Sequence, residues 1–114
     1  MISILTVILL SAGIQVHDGD TMARGPDRVR LWGVDAPPLD GAGGTASRDY
    51  LRALIAGRPL ACEMLYRDRY GRRVARCRLP DGADVGCAMV AAGHARDWPR
   101  YSGRAYQGCE KNIR

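Results

Sequence analysis

The chain of 114 residues is long enough for one domain with a modest core and too short for two domains of ordinary size. Its 17 basic residues against 12 acidic ones give a net charge of +5 and a pI near 9.4, and only one of the basic residues is a lysine. Because arginine forks match phosphate geometry, this balance favours a polyanionic partner, although a basic charge alone does not define a site. The sequence contains no repeats and no low-complexity segment.

The first residues support two interpretations. Residues 2–10 are almost entirely apolar, and the small residues at 11–13 have the form of a signal-peptide cleavage site. No Lys or Arg precedes Arg24, so the basic start that is typical of a signal peptide is missing, and the apolar run is too short to span a membrane. Residues 1–13 are therefore predicted to be a signal peptide or an extension of the first strand, and residues 14–114 a single domain.

A predicted hairpin brings two carboxylates together near the start of this domain. Residues 14–23 are predicted to form a strand with a bend at Asp18-Gly19, and residues 29–34 the return strand after a Gly-Pro-Asp turn. Folding about that turn lays Asp20 beside residues 33–35, with Arg30 on the return strand. Clustered carboxylates suit a hard cation such as calcium, and a neighbouring guanidinium suits a phosphate. The pattern suggests metal-assisted chemistry on a phosphodiester. The alternative is that the two Asp-Gly pairs only form turns and that the arginine is an ordinary surface residue.

A second hairpin and three helices are predicted in the rest of the chain. A loop rich in Pro and Gly at 37–44 borders the two carboxylates, and another loop is predicted at 98–103. A hairpin turn at 68–71 is followed by Arg72, so an arginine again lies beside a turn. The predicted elements are a helix capped by Thr45 or Ser47 and running to Ala56, with Tyr50, Leu51, Leu54 and Ile55 on its buried face; strands at 60–67 and 72–79; a helix capped by Asp84 and running to Ala92; and a short helix at 104–110.

Four cysteines in a small domain suggest disulfides formed in an oxidising compartment. The second hairpin places Cys62 roughly opposite Cys77, which leaves Cys87 to pair with Cys109. Export would make the protein periplasmic or secreted. Four reduced cysteines in the core of a cytoplasmic protein are the alternative, and the spacings lack the Cys-x-x-Cys that would indicate a zinc site.

Aromatic and histidine side chains are few. Aromatic residues make up 6% of the chain, so a stacking platform for single-stranded nucleic acid would use Trp32, Trp98 and a few tyrosines. His17 is predicted to be a strand residue that points away from Asp18. His94 follows a helix end and is interpreted as a capping or surface residue.

Three motifs resemble those of the staphylococcal nuclease (thermonuclease) family in order and spacing. They are Asp18-Gly19-Asp20-Thr21, then Arg30-Leu31-Trp32-Gly33-Val34-Asp35-Ala36-Pro37, then Asp68-Arg69-Tyr70-Gly71-Arg72. The resemblance covers about residues 14–106 and implies an α+β, mainly β fold, a five-stranded OB-fold barrel with two or three packed helices. It also implies a calcium-dependent endonuclease that acts on DNA and RNA and grips their phosphate backbone. We expect a monomer.

The resemblance also implies roles for individual residues by their position. The calcium ligands would be Asp20, Asp35 and the backbone carbonyl of Ala36. The phosphate-binding pair would be Arg30 and Arg72.

One position departs from the family pattern. The family's general base is a glutamate directly after the Asp-x-Pro segment, where this chain has Pro38. Because a general base is worth ~10²–10⁴-fold in rate, the chain should cleave slowly unless another group substitutes. Asp40 is the nearest carboxylate that could do so. Asp18 better suits the outer shell of the metal. The third option is a metal-bound hydroxide that attacks without a dedicated base.

Three functions therefore compete. The first is a nuclease with an altered or relocated base, and the second is a nucleic-acid-binding module that has lost turnover. The third is a structural OB-type domain that binds a protein. Retention of both aspartates and both arginines argues against the third, because unconstrained drift would not preserve all four.

Overall fold

A computed structural model describes residues 6–10 and 13–110 of the chain, with only the backbone described for residues 6–10. The predicted boundary at residue 13 adjoins undescribed residues, so the signal peptide remains a prediction. The described residues form eight strands and four helices: β1 (Thr6–Leu10), β2 (Ile14–Asp18), β3 (Thr21–Arg24), β4 (Asp27–Leu31), β5 (Val34–Asp35), α1 (Gly44–Ile55), β6 (Leu60–Arg67), β7 (Arg73–Arg78), α2 (Val85–Ala91), β8 (Arg96–Asp97), α3 (Pro99–Ser102) and α4 (Gln107–Glu110).

Six of the strands form one curled sheet in the order β1-β6-β7-β4-β3-β2, in which only the β4–β7 pair is parallel. β1 and β2 lie at opposite ends of this order, although only residues 11–13 separate them in the chain. Five strand spacings in a flat sheet would cover about 24 Å. Four Cα–Cα steps reach at most about 14 Å, so the sheet must curl until its two edges approach one another.

This arrangement confirms the predicted α+β, mainly β fold class. The predicted five strands become six in the sheet because β1 and β2, on either side of residues 11–13, count separately. The single strand predicted at 14–23 is wrong in detail, since a tight turn at Gly19 and Asp20 divides it into β2 and β3.

Gly19 is required at that turn because neighbouring side chains leave no space for another residue. A Cβ atom there would lie 2.8 Å from the Ala36 Cβ and would overlap the Ser47 hydroxyl. The turn is therefore pressed directly against α1 and against the residue that follows β5.

Helix α1 begins differently from the prediction. Gly43 is its N-cap with φ of 79°, in the left-handed region that favours glycine. Ser47, predicted as a cap, is fully buried within the helix, and its hydroxyl donates a hydrogen bond of 2.7 Å to the His94 carbonyl. Leu51 and Ile55 are buried as expected, but Tyr50 is 37% exposed and does not belong to the apolar face.

The C-terminal third matches the prediction in part. Asp84 caps α2 as predicted, its side chain accepting a hydrogen bond of 3.0 Å from the Cys87 amide. The predicted loop at 98–103 instead contains α3, and α4 is shorter than the helix predicted at 104–110.

Two disulfides complete the packing. Cys62 is bonded to Cys77 and Cys87 to Cys109, which is the pairing that the second hairpin favoured. The core lies between the curled sheet, α1 and α2, and its largest fully buried side chains are Met22, Leu31, Leu51, Leu60 and Met89. None of the helices in the described part of the chain has the length and apolar character of a membrane-spanning segment.

Candidate active site

Asp20 is the buried centre of the site. It is 6% exposed at the turn between β2 and β3. One carboxylate oxygen accepts a hydrogen bond of 2.8 Å from the Ala36 amide, and the other accepts one of 2.9 Å from the Thr21 hydroxyl. The carboxylate of Asp18, the last residue of β2, accepts a hydrogen bond of 3.1 Å from the Asp20 amide.

The buried position of Asp20 disfavours the negatively charged form of its carboxyl group. Burial raises the pKa of Asp20 to about 6, and the Arg30 guanidinium and the Ala36 amide only partly offset this effect. The neighbouring Asp18 carboxylate raises the pKa further. A carboxylate in this state would gain from a cation, since a bound positive charge would replace part of the lost hydration.

Arg30 joins the two predicted carboxylates. Its Nη1 donates hydrogen bonds of 2.6 Å to the Leu31 carbonyl and 2.8 Å to the Val34 carbonyl, which fix the guanidinium plane. Its Nη2 lies 3.5 Å from an Asp20 oxygen and 3.9 Å from an Asp35 oxygen. The fold thus places Asp20, Asp35 and Arg30 around one point, as the hairpin predicts.

The donor atoms at this point suit a hard cation but are few. The Asp35 side chain is 60% exposed. Asp35 is the last residue of β5, and Ala36 follows it directly. Two carboxylates and one carbonyl supply fewer oxygens than the 6–8 that calcium takes. Among the described residues, no cluster of three or more Asp, Glu, His or Cys side chains could hold a metal without other ligands. Water and a substrate phosphate would have to complete the coordination.

Arg72 is held by its own turn. The Asp68 carboxylate accepts hydrogen bonds of 2.9 Å from the Tyr70 and Arg72 amides and one of 2.7 Å from Arg72 Nε. Although burial raises the pKa of Asp68, these bonds with the Arg72 and Tyr70 groups lower it more, and the net pKa lies below its usual value. Arg28 ties the same turn to β4 through a hydrogen bond of 2.6 Å to the Tyr70 carbonyl.

A cleft of about 550 Å³ joins Arg30 and Arg72. The Trp98 and Tyr101 rings meet edge to face at 4.4 Å, and the Arg30 guanidinium lies 5.4 Å from the centre of the Trp98 ring. A cleft with arginines and exposed rings suits a backbone phosphate together with stacked bases. The walls of the cleft are formed by Arg30, Leu31, Gly33, Tyr66, Asp68, Arg69, Tyr70, Arg72, Val74, Trp98, Arg100 and Tyr101.

The expected contribution of Trp32 to this platform is wrong. Trp32 packs against Tyr106 at 5.8 Å and lies beneath the Arg76 guanidinium, 5.0 Å away, as part of the fold. Trp98, the other tryptophan expected in the platform, does line the cleft, and its amide donates a hydrogen bond of 2.8 Å to the Gly33 carbonyl. Buried Asp97, the residue before it, accepts a hydrogen bond of 2.6 Å from the Ser102 hydroxyl and so holds α3.

A second pocket, of about 600 Å³, has Asp35 among its lining residues. Its walls include Pro38, His94 and Arg96. Asp40 is exposed on the turn after Pro38, and within the described part of the chain it is not among the residues that line this pocket. His94 is half-buried and lines this pocket. Its sequence position after a helix end predicts only a capping or surface residue, so nothing in the sequence indicates that His94 lies in a pocket.

Several curated proteins are similar to this chain. A protein of Escherichia coli O157:H7 described as an uncharacterized endonuclease is 37% identical over 93 residues, and the match covers 78% of this chain and 61% of that protein. The succinoglycan biosynthesis protein ExoI of Rhizobium meliloti is 42% identical over 93 residues, with 72% of this chain and 49% of ExoI covered. Protein ParB of Escherichia coli is 33% identical over 104 residues, with 81% of this chain and 58% of ParB covered. The chain therefore spans about half to three fifths of the length of these relatives.

Residues 28–112 match the family described as staphylococcal nuclease homologue, and this match covers more than half of the chain. The match includes Arg30, Asp35 and Arg72, which the fold brings to one cleft and its edge. On the strength of this match and of these relatives, the chain belongs to the staphylococcal nuclease homologue family.

Proposed function

We propose that this protein is a calcium-dependent nuclease that hydrolyses phosphodiester bonds of DNA and RNA. The observation that carries the proposal is the convergence of Asp20, Asp35 and Arg30 at the end of a cleft that also contains Arg72 and exposed aromatic rings. The relatives described as endonucleases support the same reaction class.

The arginines would act on the phosphate. Both line the cleft, and both are held by hydrogen bonds within the fold, so little reorganisation is needed when charge builds up on the phosphoryl oxygens. Their contacts would be to the backbone and would carry no base information. Trp98 and Tyr101 would hold a neighbouring base by stacking, which is also tolerant of sequence.

The carboxylates would hold the cation. Asp20, Asp35 and the Ala36 carbonyl would bind calcium, and Asp18, hydrogen-bonded to the Asp20 amide, would support Asp20 from the outer shell. When bound, calcium would polarise the phosphate and neutralise part of its charge.

The disulfides bear on the location of the protein. The two disulfide pairs favour an oxidising compartment, so we propose a periplasmic or secreted monomer.

Pro38 removes the family's carboxylate base, so cleavage should be slow unless Asp40 or another group accepts the proton. Pro38 is also the reason to retain a second candidate, a nucleic-acid-binding module without turnover.

A plasmid-degradation assay with calcium and with chelator separates the two candidates. We expect slow cleavage that chelator abolishes. Arg72→Ala and Arg30→Ala should weaken binding of single-stranded DNA for all sequences alike and flatten its salt dependence. Exposed Arg58→Ala serves as the control for lost charge, since Arg58 lies outside the cleft. Tight DNA binding without any calcium-dependent cleavage would replace the nuclease with the binding module.

A further inference from the structure

A half-buried histidine lies in the pocket that adjoins the proposed catalytic carboxylates. The pocket of about 600 Å³ has Asp35, Pro38, His94 and Arg96 among its lining residues. Pro38 has no side-chain group that accepts a proton, and the Arg96 guanidinium has donors only. Asp35 is engaged as a proposed ligand of the cation. Among the residues that line this pocket, the His94 imidazole is therefore the remaining side chain with an atom that can accept a proton from water.

Asp35, His94 and Arg96 line the same pocket. β5 and β8 pair so that Asp35 lies opposite Arg96, and both are exposed. Ala95, between His94 and Arg96, is buried. His94, which precedes β8, is half-buried and lines the pocket together with Pro38.

The backbone and ring of His94 are held in place. Its carbonyl accepts a hydrogen bond of 2.7 Å from the Ser47 hydroxyl, and its amide donates one of 3.0 Å to the Met89 carbonyl. Its ring stacks on Tyr50, with centroids 4.7 Å apart. Ser47 also packs against Gly19, the residue before Asp20. A short chain of contacts thus ties His94 to the turn that carries the buried carboxylate.

We propose that the His94 imidazole accepts the proton of the attacking water, an inference that rests on the proposed nuclease function. The water oxygen bonds to phosphorus while one water proton passes to the imidazole. The bond from phosphorus to the leaving ester oxygen breaks, and that oxygen keeps the electron pair and takes a proton from solvent. The imidazolium then returns its proton to solvent, so one water is consumed and a phosphomonoester and an alcohol are formed.

The test compares His94→Ala with His17→Ala, which removes the other histidine of the chain, an exposed residue of β2. For His94→Ala, we expect kcat on single-stranded DNA with calcium to fall by about 10²-fold or more. Binding of a nucleoside bisphosphate should change less than twofold, and added imidazole should restore part of kcat. Imidazole rescue separates proton transfer from a structural role, because a misfolded pocket would not recover. His17→Ala should behave like the wild type.

Further variants keep the inference falsifiable. If His94→Ala unfolds, His94→Gln replaces it, since glutamine keeps much of the volume and should also lose kcat. Pro38→Glu in the His94→Ala background should restore cleavage by supplying a carboxylate. Wild-type activity that survives in His94→Ala and His94→Gln would overturn the inference and leave the nuclease proposal intact. Loss of kcat in Asp40→Asn instead would assign the proton to Asp40. A wild type without calcium-dependent cleavage would overturn both proposals.

Discussion

Asp20 combines burial with a negative charge, and this combination costs free energy of folding. Its pKa rises from 3.8 to about 6 on folding, so the folded state holds the proton more tightly than the unfolded state. Stability should therefore fall as pH rises from about 4 to about 6, and the full cost should remain above that range. At about 1.4 kcal/mol for each pKa unit, the cost at pH 7 is about 1–3 kcal/mol.

Asp20→Asn should remove this cost. Without calcium, we expect its free energy of unfolding at pH 7 to exceed that of the wild type by about 1–3 kcal/mol, and the difference to vanish near pH 4. Asparagine can still accept the hydrogen bond from the Ala36 amide. Chemical denaturation at both pH values measures the effect, with exposed Asp40→Asn as the control, which should change little. A destabilised Asp20→Asn at pH 7 would show that the ion pair with Arg30 outweighs burial.

The turn at 68–71 shows how a local element can set the position of a substrate-binding arginine. Asp68 accepts three hydrogen bonds, and one of them comes from Arg72 Nε at 2.7 Å. Asparagine would keep the shape but lose the charge that orients the guanidinium. Asp68→Asn should therefore weaken binding of a nucleoside bisphosphate severalfold, less than Arg72→Ala does.

A double-mutant cycle by calorimetry tests this role of Asp68. If Asp68 acts through Arg72, Asp68→Asn should have no further effect on binding in the Arg72→Ala background. Asp27→Asn is the matched control, because Asp27 makes a long ion pair of 3.9 Å with Arg73 outside the cleft. Additive losses from Asp68→Asn and Arg72→Ala would mean that Asp68 affects binding by another route.

Local chemistry decides which elements the sequence could predict. The second hairpin, the Asp84 cap and the placement of Asp20 and Asp35 beside Arg30 follow from turn residues, a helix-capping side chain and strand pairing, all of which act over short distances. The start of α1 escaped prediction because Ser47 serves a distant partner, the His94 carbonyl. Trp98 and His94 flank β8, and the pairing of β8 with β5 positions them. The paired residues of β5 and β8 lie about 60 positions apart in the chain, so no local sequence pattern could predict these positions.

At the scale of the whole molecule, the two disulfides hold different parts of the fold. Cys62 and Cys77 face one another across β6 and β7, which are already joined by a ladder of hydrogen bonds. Cys87 and Cys109 connect α2 to α4, at the end of the segment that carries Trp98 and Tyr101. Losing either bridge should lower the free energy of unfolding by about 2–4 kcal/mol.

The effect on binding should separate the two bridges. We expect the double variant Cys87→Ala/Cys109→Ala to bind a single-stranded oligonucleotide severalfold more weakly, because the Trp98–Tyr101 wall of the cleft is then held at one end only. The double variant Cys62→Ala/Cys77→Ala should keep its affinity as long as it remains folded, since β6 and β7 stay paired without the bridge. Fluorescence titration under conditions in which both variants are fully folded measures the difference. Equal losses of affinity would mean that the bridges support the cleft only through global stability. A selective loss in Cys87→Ala/Cys109→Ala would show that the Cys87–Cys109 bridge holds Trp98 and Tyr101 in position for binding.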